Sequence, residues 1–167
     1  GGDGEILFGP WAGNAPLAPV EALLRSAGMR ARRVEDPKRT LWEKVVLNGA
    51  VNPVSALLGR PNGTLGETLP SRQVMATLLR EALEVARAEG FNLEEREMGD
   101  RVRRVLEATG PNRSSMLQDR EAGRRTETDA LGGALIERGR KHGLELPVTE
   151  ALHRLLTALD GDPERKD

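Results

Sequence analysis

Three polar side chains, Lys44, Asn48 and Asn52, recur at every fourth position of an otherwise apolar stretch and are suited to chemistry. An ammonium group can donate a proton or stabilise a developing oxyanion, and carboxamides can hydrogen-bond carbonyl and hydroxyl groups. If residues 41–52 form a helix, the spacing puts all three on one narrow stripe. A helix that is apolar nearly all round is buried. We therefore expect the stripe to be buried and either paired or facing a cavity that holds a polar ligand, the alternative being an ordinary solvated lysine.

Pro53 follows the stripe directly. A proline has no N–H to bond to the carbonyl four residues earlier, here that of Gly49, and it disfavours the helical conformation of the residue before it. The sequence therefore predicts a kink or a break at Pro53, with Asn52 displaced from the stripe.

A second polar segment, residues 112–129, admits two interpretations. In the first, Ser114 or Ser115 caps a short helix and Thr126 caps the next one in a capping box with Asp129. In the second, a substrate carboxylate binds near Ser115, because the N-terminus of a helix offers free N–H groups and a partial positive charge. The residue pattern alone leaves both open.

The elements that must position these groups are mostly helices. Residues 5–8 and 29–34 are predicted strands on either side of a predicted helix, 16–27. Such a unit needs a larger sheet to lie on, because two strands alone are marginally stable. From residue 36 onward the periodicity predicts a run of helices that start at Ser71, Asn92, Ser114 or Ser115, Thr126 and Pro147. We interpret residues 1–35 as the tail of an α/β domain and residues 36–167 as a helical domain.

The bulk properties exclude several classes of site. The 167 residues carry a net charge of −1, which does not favour a nucleic-acid partner, and they include no cysteine for disulfides or thiolate chemistry. The two histidines, His142 and His153, stand apart from any ligand cluster, so we expect no metal site and assign both to packing or to the surface. The sequence shows no apolar run of membrane-spanning length and no signal peptide, and we expect a cytoplasmic protein without membrane partners.

Four motifs then occur in order: Leu-Trp-x-Lys-x-x-x-Asn-x-x-x-Asn-Pro at 41–53, Asn-Arg-Ser-Ser-Met-x-Gln-Asp at 112–119, Gly-Arg-x-Thr-Glu-x-Asp at 123–129 and Gly-x-x-x-Pro-Val at 143–148. Together they resemble the C-terminal half of the 2-dehydropantoate 2-reductases, or ketopantoate reductases, and the resemblance covers essentially the whole chain. It implies a mainly α fold, a helical domain of the 6-phosphogluconate-dehydrogenase C-terminal-like type preceded by a short β-α-β remnant of a Rossmann domain.

The resemblance also implies roles for individual residues. Lys44 matches the lysine that gives a proton to the substrate carbonyl oxygen, and Glu127 matches the glutamate that orients substrate and catalytic groups. The positions assigned to substrate binding are Asn48, Asn52, Ser115, which matches the serine that holds the carboxylate, and Asn112 of the same motif.

The reaction so implied is the NADPH-dependent reduction of 2-dehydropantoate to pantoate in pantothenate biosynthesis, with a small 2-keto acid as partner and a homodimer left open. No Gly-x-Gly-x-x-Gly loop occurs in the sequence, so the cofactor-binding residues are unknown and we expect the isolated chain to be inactive. Two other interpretations stay open: a related two-domain reductase of another 2-keto acid or an imine, and a non-catalytic helical interaction domain.

Overall fold

The computed structural model of the protein describes residues 5–13 and 16–161. By the contacts among its residues the chain divides into two compact units, Gly1–Glu43 and Lys44–Asp167, and the division falls inside the helix that carries the polar stripe. No helix within the two described ranges combines the length and the apolar character that a bilayer span requires.

The first unit contains a parallel β-α-β arrangement. Strand β1 (Ile6–Phe8) pairs with β2 (Ala31–Arg33) in the register Ile6 to Ala31, and helix α1 (Ala18–Ser26) connects them. The predicted strands and helix are therefore confirmed. The apolar face of α1 is largely uncovered, because Val20 and Leu23 remain 44% and 68% exposed. Two strands of three residues are too small a surface to cover a helix.

The second unit is helical in the part that the structure describes. Helix α2 runs through Lys44, and the elements after it are short to medium in length. Their bounds in chain order are α2 (Pro37–Leu58), α3 (Asn62–Leu65), α4 (Leu69–Ala88), α5 (Glu95–Ala108), α6 (Ser115–Glu121), a π-helical turn (Asp129–Gly133), α7 (Ala134–Lys141) and α8 (Pro147–Leu159).

Helix α4 is central to this unit. It contacts α5, α7 and α8, and its predicted apolar face is buried as expected. The buried residues of that face include Met75, Leu78, Leu79, Ala82, Leu83 and Ala86. Burial of one large apolar side chain contributes about 1.5–3 kcal/mol, so this face contributes substantially to the packing of the helical unit.

Glu81 of α4 is buried among these apolar residues with 7% of its surface exposed. Its carboxylate accepts hydrogen bonds from the N–H groups of Val148 and Thr149, at 2.9 and 2.8 Å, and from the Thr149 hydroxyl at 2.6 Å. Helix α8 has no side-chain cap of its own at Leu146. Glu81 therefore caps α8 from a different helix, which sequence spacing does not reveal.

Two predicted helix starts are wrong in detail. Thr68, not Ser71, caps α4, accepting the Ser71 N–H at 3.4 Å, while the Ser71 hydroxyl bonds to carbonyls of the preceding turn. Helix α5 begins with Glu94 at its N-cap rather than with Asn92. Both true caps have extended backbone dihedrals, the conformation that a cap residue needs.

Of the kink or break predicted at Pro53, the break is wrong. Helix α2 continues from Pro37 to Leu58, with Pro53 buried inside it. The carbonyl that a proline ring crowds belongs to Gly49, whose lack of a side chain leaves the backbone free to adjust. The helix therefore loses one hydrogen bond without ending, and Asn52 keeps its helical position.

Candidate active site

The polar stripe lies on one side of α2. Lys44 is exposed and Asn48 and Asn52 are half-buried, whereas Val46 and Ala50 on the same helix are fully buried. The prediction that the whole stripe is buried is thus wrong for Lys44. In the described part of its own unit no hydrogen bond or ion pair engages the three polar side chains, so an ammonium and two carboxamides are available to a ligand along one line.

Ser115 is the first residue of α6 and its side chain is exposed. The cap is Ser114, whose hydroxyl oxygen accepts the Leu117 N–H at 3.1 Å. This resolves the choice between the two serines: Ser114 is occupied by the helix, and the hydroxyl of Ser115 is left for another role.

Asn112 precedes α6 in a loop that its backbone holds in place. Its N–H donates to the Thr109 carbonyl at 2.8 Å, and its own carbonyl accepts the Asn62 N–H at 2.9 Å. The side chain is exposed. Among the described residues it makes no hydrogen bond, so it too is available to a ligand.

Helix α6 packs against the C-terminal part of α2. Met116, next to Ser115, lies in a buried cluster with Ala56 of α2 and Leu156 of α8. The Arg120 guanidinium also donates a hydrogen bond to the Ala56 carbonyl. Since Ala56 is one helical turn beyond Asn52, these contacts hold the segment of Ser115 close to the stripe end of α2.

Glu127 is exposed between two buried threonines. Thr126 and Thr128 have 8% and 3% of their surface exposed, while the Glu127 side chain makes no hydrogen bond or ion pair among the residues that the structure describes. Alternation of buried and exposed positions therefore presents the Glu127 carboxylate outward.

The expected capping box of Thr126 with Asp129 is wrong. Thr126 instead donates both its N–H and its hydroxyl to the Asp160 carboxylate, and Asp129 pairs with Arg125 at 3.1 Å and His153 at 3.0 Å. In a capping box the Asp129 carboxylate would accept the Thr126 N–H. Here Asp160 accepts that N–H, and the Asp129 carboxylate is engaged by Arg125 and His153.

The π-helical turn follows Glu127 closely. A π-helical turn is rare and occurs often at functional sites. The His153 ring lies against it: a Cβ added at Gly132 or Gly133 would come within 3.4 or 3.3 Å of ring atoms. The absence of side chains at the two glycines permits this close approach, and His153 is a packing residue of the turn.

A small cavity separates the turn from α2. Its lining includes Gly49 and Pro53 of α2 together with Thr128, Gly132 and His153, and its volume is about 10 Å³. That space holds one water at most, so it is not a substrate pocket. It does show that the segment of Glu127 lies beside α2, on the same body as the stripe.

A larger cavity of about 700 Å³ lies between α3, α4 and α5. It is lined by apolar residues such as Met75, Leu79 and Leu106, and none of the predicted site residues borders it. Within the part of the chain that the structure describes, the predicted site residues therefore lie on surface segments, those of Lys44, Ser115 and Glu127, and not in this cavity.

Comparison with known proteins identifies the family. Residues 36–160 match the family model described as ketopantoate reductase PanE/ApbA C terminal. A 2-dehydropantoate 2-reductase of Halobacterium salinarum is 37% identical over 163 residues, which cover 96% of this chain and 54% of that protein. The chain therefore spans about half the length of the curated relatives it matches.

Solved structures agree with the fold described above. The crystal structure of a PanE/ApbA family ketopantoate reductase from Ralstonia eutropha JMP134 is 31% identical with a TM-score of 0.83, covering 94% of this chain and 51% of that one. The ternary structure of D-mandelate dehydrogenase with NADH and anilino(oxo)acetate is 25% identical with a TM-score of 0.84, covering 93% and 66%. The chain belongs to the ketopantoate reductase family, and residues 36–160 are the C-terminal helical domain of that family.

Proposed function

We propose that this chain supplies the substrate-binding and proton-donating half of an NADPH-dependent reductase that converts 2-dehydropantoate to pantoate. The observation that carries the proposal is the open stripe of Lys44, Asn48 and Asn52 on α2, held on one packed body with the segments of Ser115 and Glu127. The similarity to 2-dehydropantoate 2-reductases supports the choice of substrate.

The chemistry of the stripe suits ketone reduction. A nicotinamide cofactor would supply the hydride, and addition of hydride to a ketone places negative charge on the carbonyl oxygen. The Lys44 ammonium stabilises that charge and donates a proton to the oxygen, which yields the 2-hydroxy acid and a neutral amine that takes up a proton from water. The amides of Asn48 and Asn52 give uncharged hydrogen bonds that orient the substrate along the helix.

The remaining residues hold the ends of the substrate. Ser115 and Asn112 are assigned to the substrate carboxylate, where the exposed hydroxyl and amide side chains provide donors beside the N-terminus of α6. Glu127 orients the Lys44 ammonium and the substrate hydroxyl groups. The exposed position of Lys44 in this chain fits a group that a ligand must reach.

The chain does not provide the nucleotide site itself. No Gly-x-Gly-x-x-Gly loop occurs in its 167 residues, and such a loop is what a dinucleotide pyrophosphate needs. We therefore place the nucleotide-binding residues in a part of the parent protein outside this chain, since the matched relatives are about twice as long. NADPH rather than NADH is the family expectation.

A second candidate function comes from the likeness to D-mandelate dehydrogenase, whose ternary structure contains NADH and anilino(oxo)acetate. It is the reduction of a different 2-keto acid by the same machinery. The same stripe and proton donor would serve it, and only the groups that contact the remainder of the substrate would differ.

The test is turnover by the parent protein with 2-dehydropantoate and a panel of other 2-keto acids, each with NADPH and with NADH. We expect the highest kcat/KM for 2-dehydropantoate with NADPH. A higher kcat/KM for an aryl 2-keto acid with NADH would favour the second candidate. Absence of turnover with every 2-keto acid would instead favour a non-catalytic helical domain, and light scattering on the same sample would establish whether the parent is a homodimer.

A further inference from the structure

The last residue of the matched domain, Asp160, bonds to the segment that presents Glu127. Its Oδ2 accepts the Thr126 N–H at 3.0 Å and the Thr126 hydroxyl at 2.6 Å, across 34 positions of sequence. One carboxylate oxygen thus fixes both the backbone and the side chain of Thr126.

The position of Asp160 is otherwise unfavourable. It is the C-cap of α8, and its own N–H donates to the Leu156 carbonyl at 2.9 Å. A carboxylate at the C-terminus of a helix meets the negative end of the helix dipole, which disfavours it. The two bonds to Thr126 give the carboxylate a compensating role that a basic residue at this position would not provide.

The Thr126 segment has little freedom apart from the Glu127 side chain. Thr126 and Thr128 are both buried, and the Glu127 carbonyl accepts the Leu131 N–H at 3.1 Å as the π-helical turn begins. The backbone is therefore held on both sides of Glu127. The direction of the Glu127 Cα–Cβ bond depends on these hydrogen bonds. Among them, the two bonds from Thr126 to Asp160 are made to a charged group distant in sequence.

We propose that Asp160 is a positioning residue for the reductase reaction, acting through Thr126 to hold Glu127 in the orientation that the substrate requires. This inference rests on the proposed role of Glu127. It adds a residue, at the far end of α8, that contacts neither the substrate nor the polar stripe on α2.

The test is a double-mutant cycle in the parent protein with 2-dehydropantoate and NADPH, using Asp160→Ala, Glu127→Gln and their combination. Asp160→Ala alone is expected to lower kcat/KM roughly tenfold, since small misplacements of a site group cost up to about 10²-fold. In the Glu127→Gln background the same change is expected to have almost no further effect, because the group it positions is absent. Glu150→Ala, which removes a partly exposed carboxylate from the same helix, is the matched control and should leave kcat/KM unchanged.

Thr126 provides a second pair of variants that keeps the test decisive if Asp160→Ala fails to fold. Thr126→Val removes the hydroxyl donor and keeps the shape, whereas Thr126→Ser keeps both donors. Loss of kcat/KM with valine and recovery with serine is expected.

Three results would overturn the proposal. Losses in the Asp160→Ala and Glu127→Gln variants that multiply in the double mutant would show that Asp160 acts independently of Glu127, and the role of Glu127 would stand. Unchanged kcat/KM in Asp160→Ala, or in Thr126→Val when Asp160→Ala does not fold, would remove the positioning role alone. Unchanged kcat/KM in Glu127→Gln would remove both the role of Glu127 and the role inferred for Asp160.

Discussion

Glu81 is predicted to be the residue of α4 on which the position of α8 depends most. Its carboxylate caps α8 through the N–H groups of Val148 and Thr149 and the hydroxyl of Thr149. Helix α8 in turn carries His153, which lies on the π-helical turn, and ends next to Asp160, which holds Thr126. Replacing Glu81 with alanine should therefore destabilise the fold and loosen the segment of Glu127.

The expected size of the effect follows from the bonds lost. A helix cap contributes about 0.5–2 kcal/mol, and a buried donor left without a partner costs about 1–3 kcal/mol. Three donors lose one shared acceptor, but water can reach some of them and the cost of burying the carboxylate is also removed. We expect Glu81→Ala to lower the free energy of unfolding by about 2–4 kcal/mol, and Glu81→Gln by less, because an amide oxygen remains as an acceptor.

The assay is urea unfolding of the 167-residue chain followed by far-UV circular dichroism. Glu84→Ala is the matched control, because it removes an exposed glutamate from the same helix and should change the free energy of unfolding by less than about 0.5 kcal/mol. Equal losses in the Glu81→Ala and Glu84→Ala variants would refute the cross-helix cap. The cap would also be refuted if Glu81→Gln lowered the free energy of unfolding as much as Glu81→Ala does, because the amide oxygen of glutamine should keep part of the hydrogen bonding.

The remaining predictions concern acid stability, the nucleotide and Glu127. Hydrogen bonding from His142, with the Arg138 charge nearby, lowers the pKa of Glu89 below its ordinary value of 4.5. The resulting stabilisation of the fold is present above that value and is lost as the pH falls through the lowered pKa. The free energies of unfolding of Glu89→Gln and wild type, measured by urea titration, should therefore converge in acid. Calorimetry should detect no micromolar NADPH binding to the isolated chain, and such binding would contradict a nucleotide site elsewhere. Glu127→Gln should reduce turnover of the parent with little change in Tm; the opposite pattern would make Glu127 structural.

The helices were predictable where the apolar periodicity is long. The inward face of α4 could be identified from spacing alone, because an apolar repeat of 3.6 residues sustained over several turns matches an amphipathic helix and not a strand. The polar stripe on α2 was predictable for the same reason. The exposure of Lys44 could not be predicted from the sequence, because an apolar helix can leave one edge exposed. Which edge that is depends on the elements packed around the helix.

The caps and the π-helical turn depend on distant residues. Thr126 and Asp129 have the spacing of a capping box, but Asp160 instead accepts hydrogen bonds from the N–H and the hydroxyl of Thr126. Glu81 caps α8 across 67 positions of sequence. The turn at 129–133 differs from an α-helix by one hydrogen-bond step, which a five-residue window of sequence cannot distinguish.

The roles of individual residues came from the motifs rather than from the geometry. The structure leaves Ser115, Asn112 and Glu127 exposed, and the packing of α6 and of the π-helical turn against α2 brings their segments to one body. Spacing alone did not predict that arrangement, because it depends on contacts such as Met116 with Ala56. Proton donation by Lys44 remains the central proposal.

The most direct test of that proposal is a pH–rate series on the parent protein at saturating NADPH and 2-dehydropantoate, comparing wild type, Lys44→Ala and Lys141→Ala. Lys141 is an exposed lysine of α7 that pairs with Glu137 at 2.7 Å, so its loss controls for removing a surface charge. Because Lys44 is exposed on a helix whose core face is formed by other residues, its replacement should leave the fold and Tm intact.

We predict that kcat falls by roughly 10²-fold or more in Lys44→Ala, a loss of about 2.7 kcal/mol of transition-state stabilisation. We also predict that the decline of kcat at high pH, present in wild type and Lys141→Ala, disappears in Lys44→Ala because the group that deprotonates is gone. A Lys44→Ala variant with near wild-type kcat, or with the high-pH decline unchanged, would contradict proton donation by Lys44 and leave it as a binding residue.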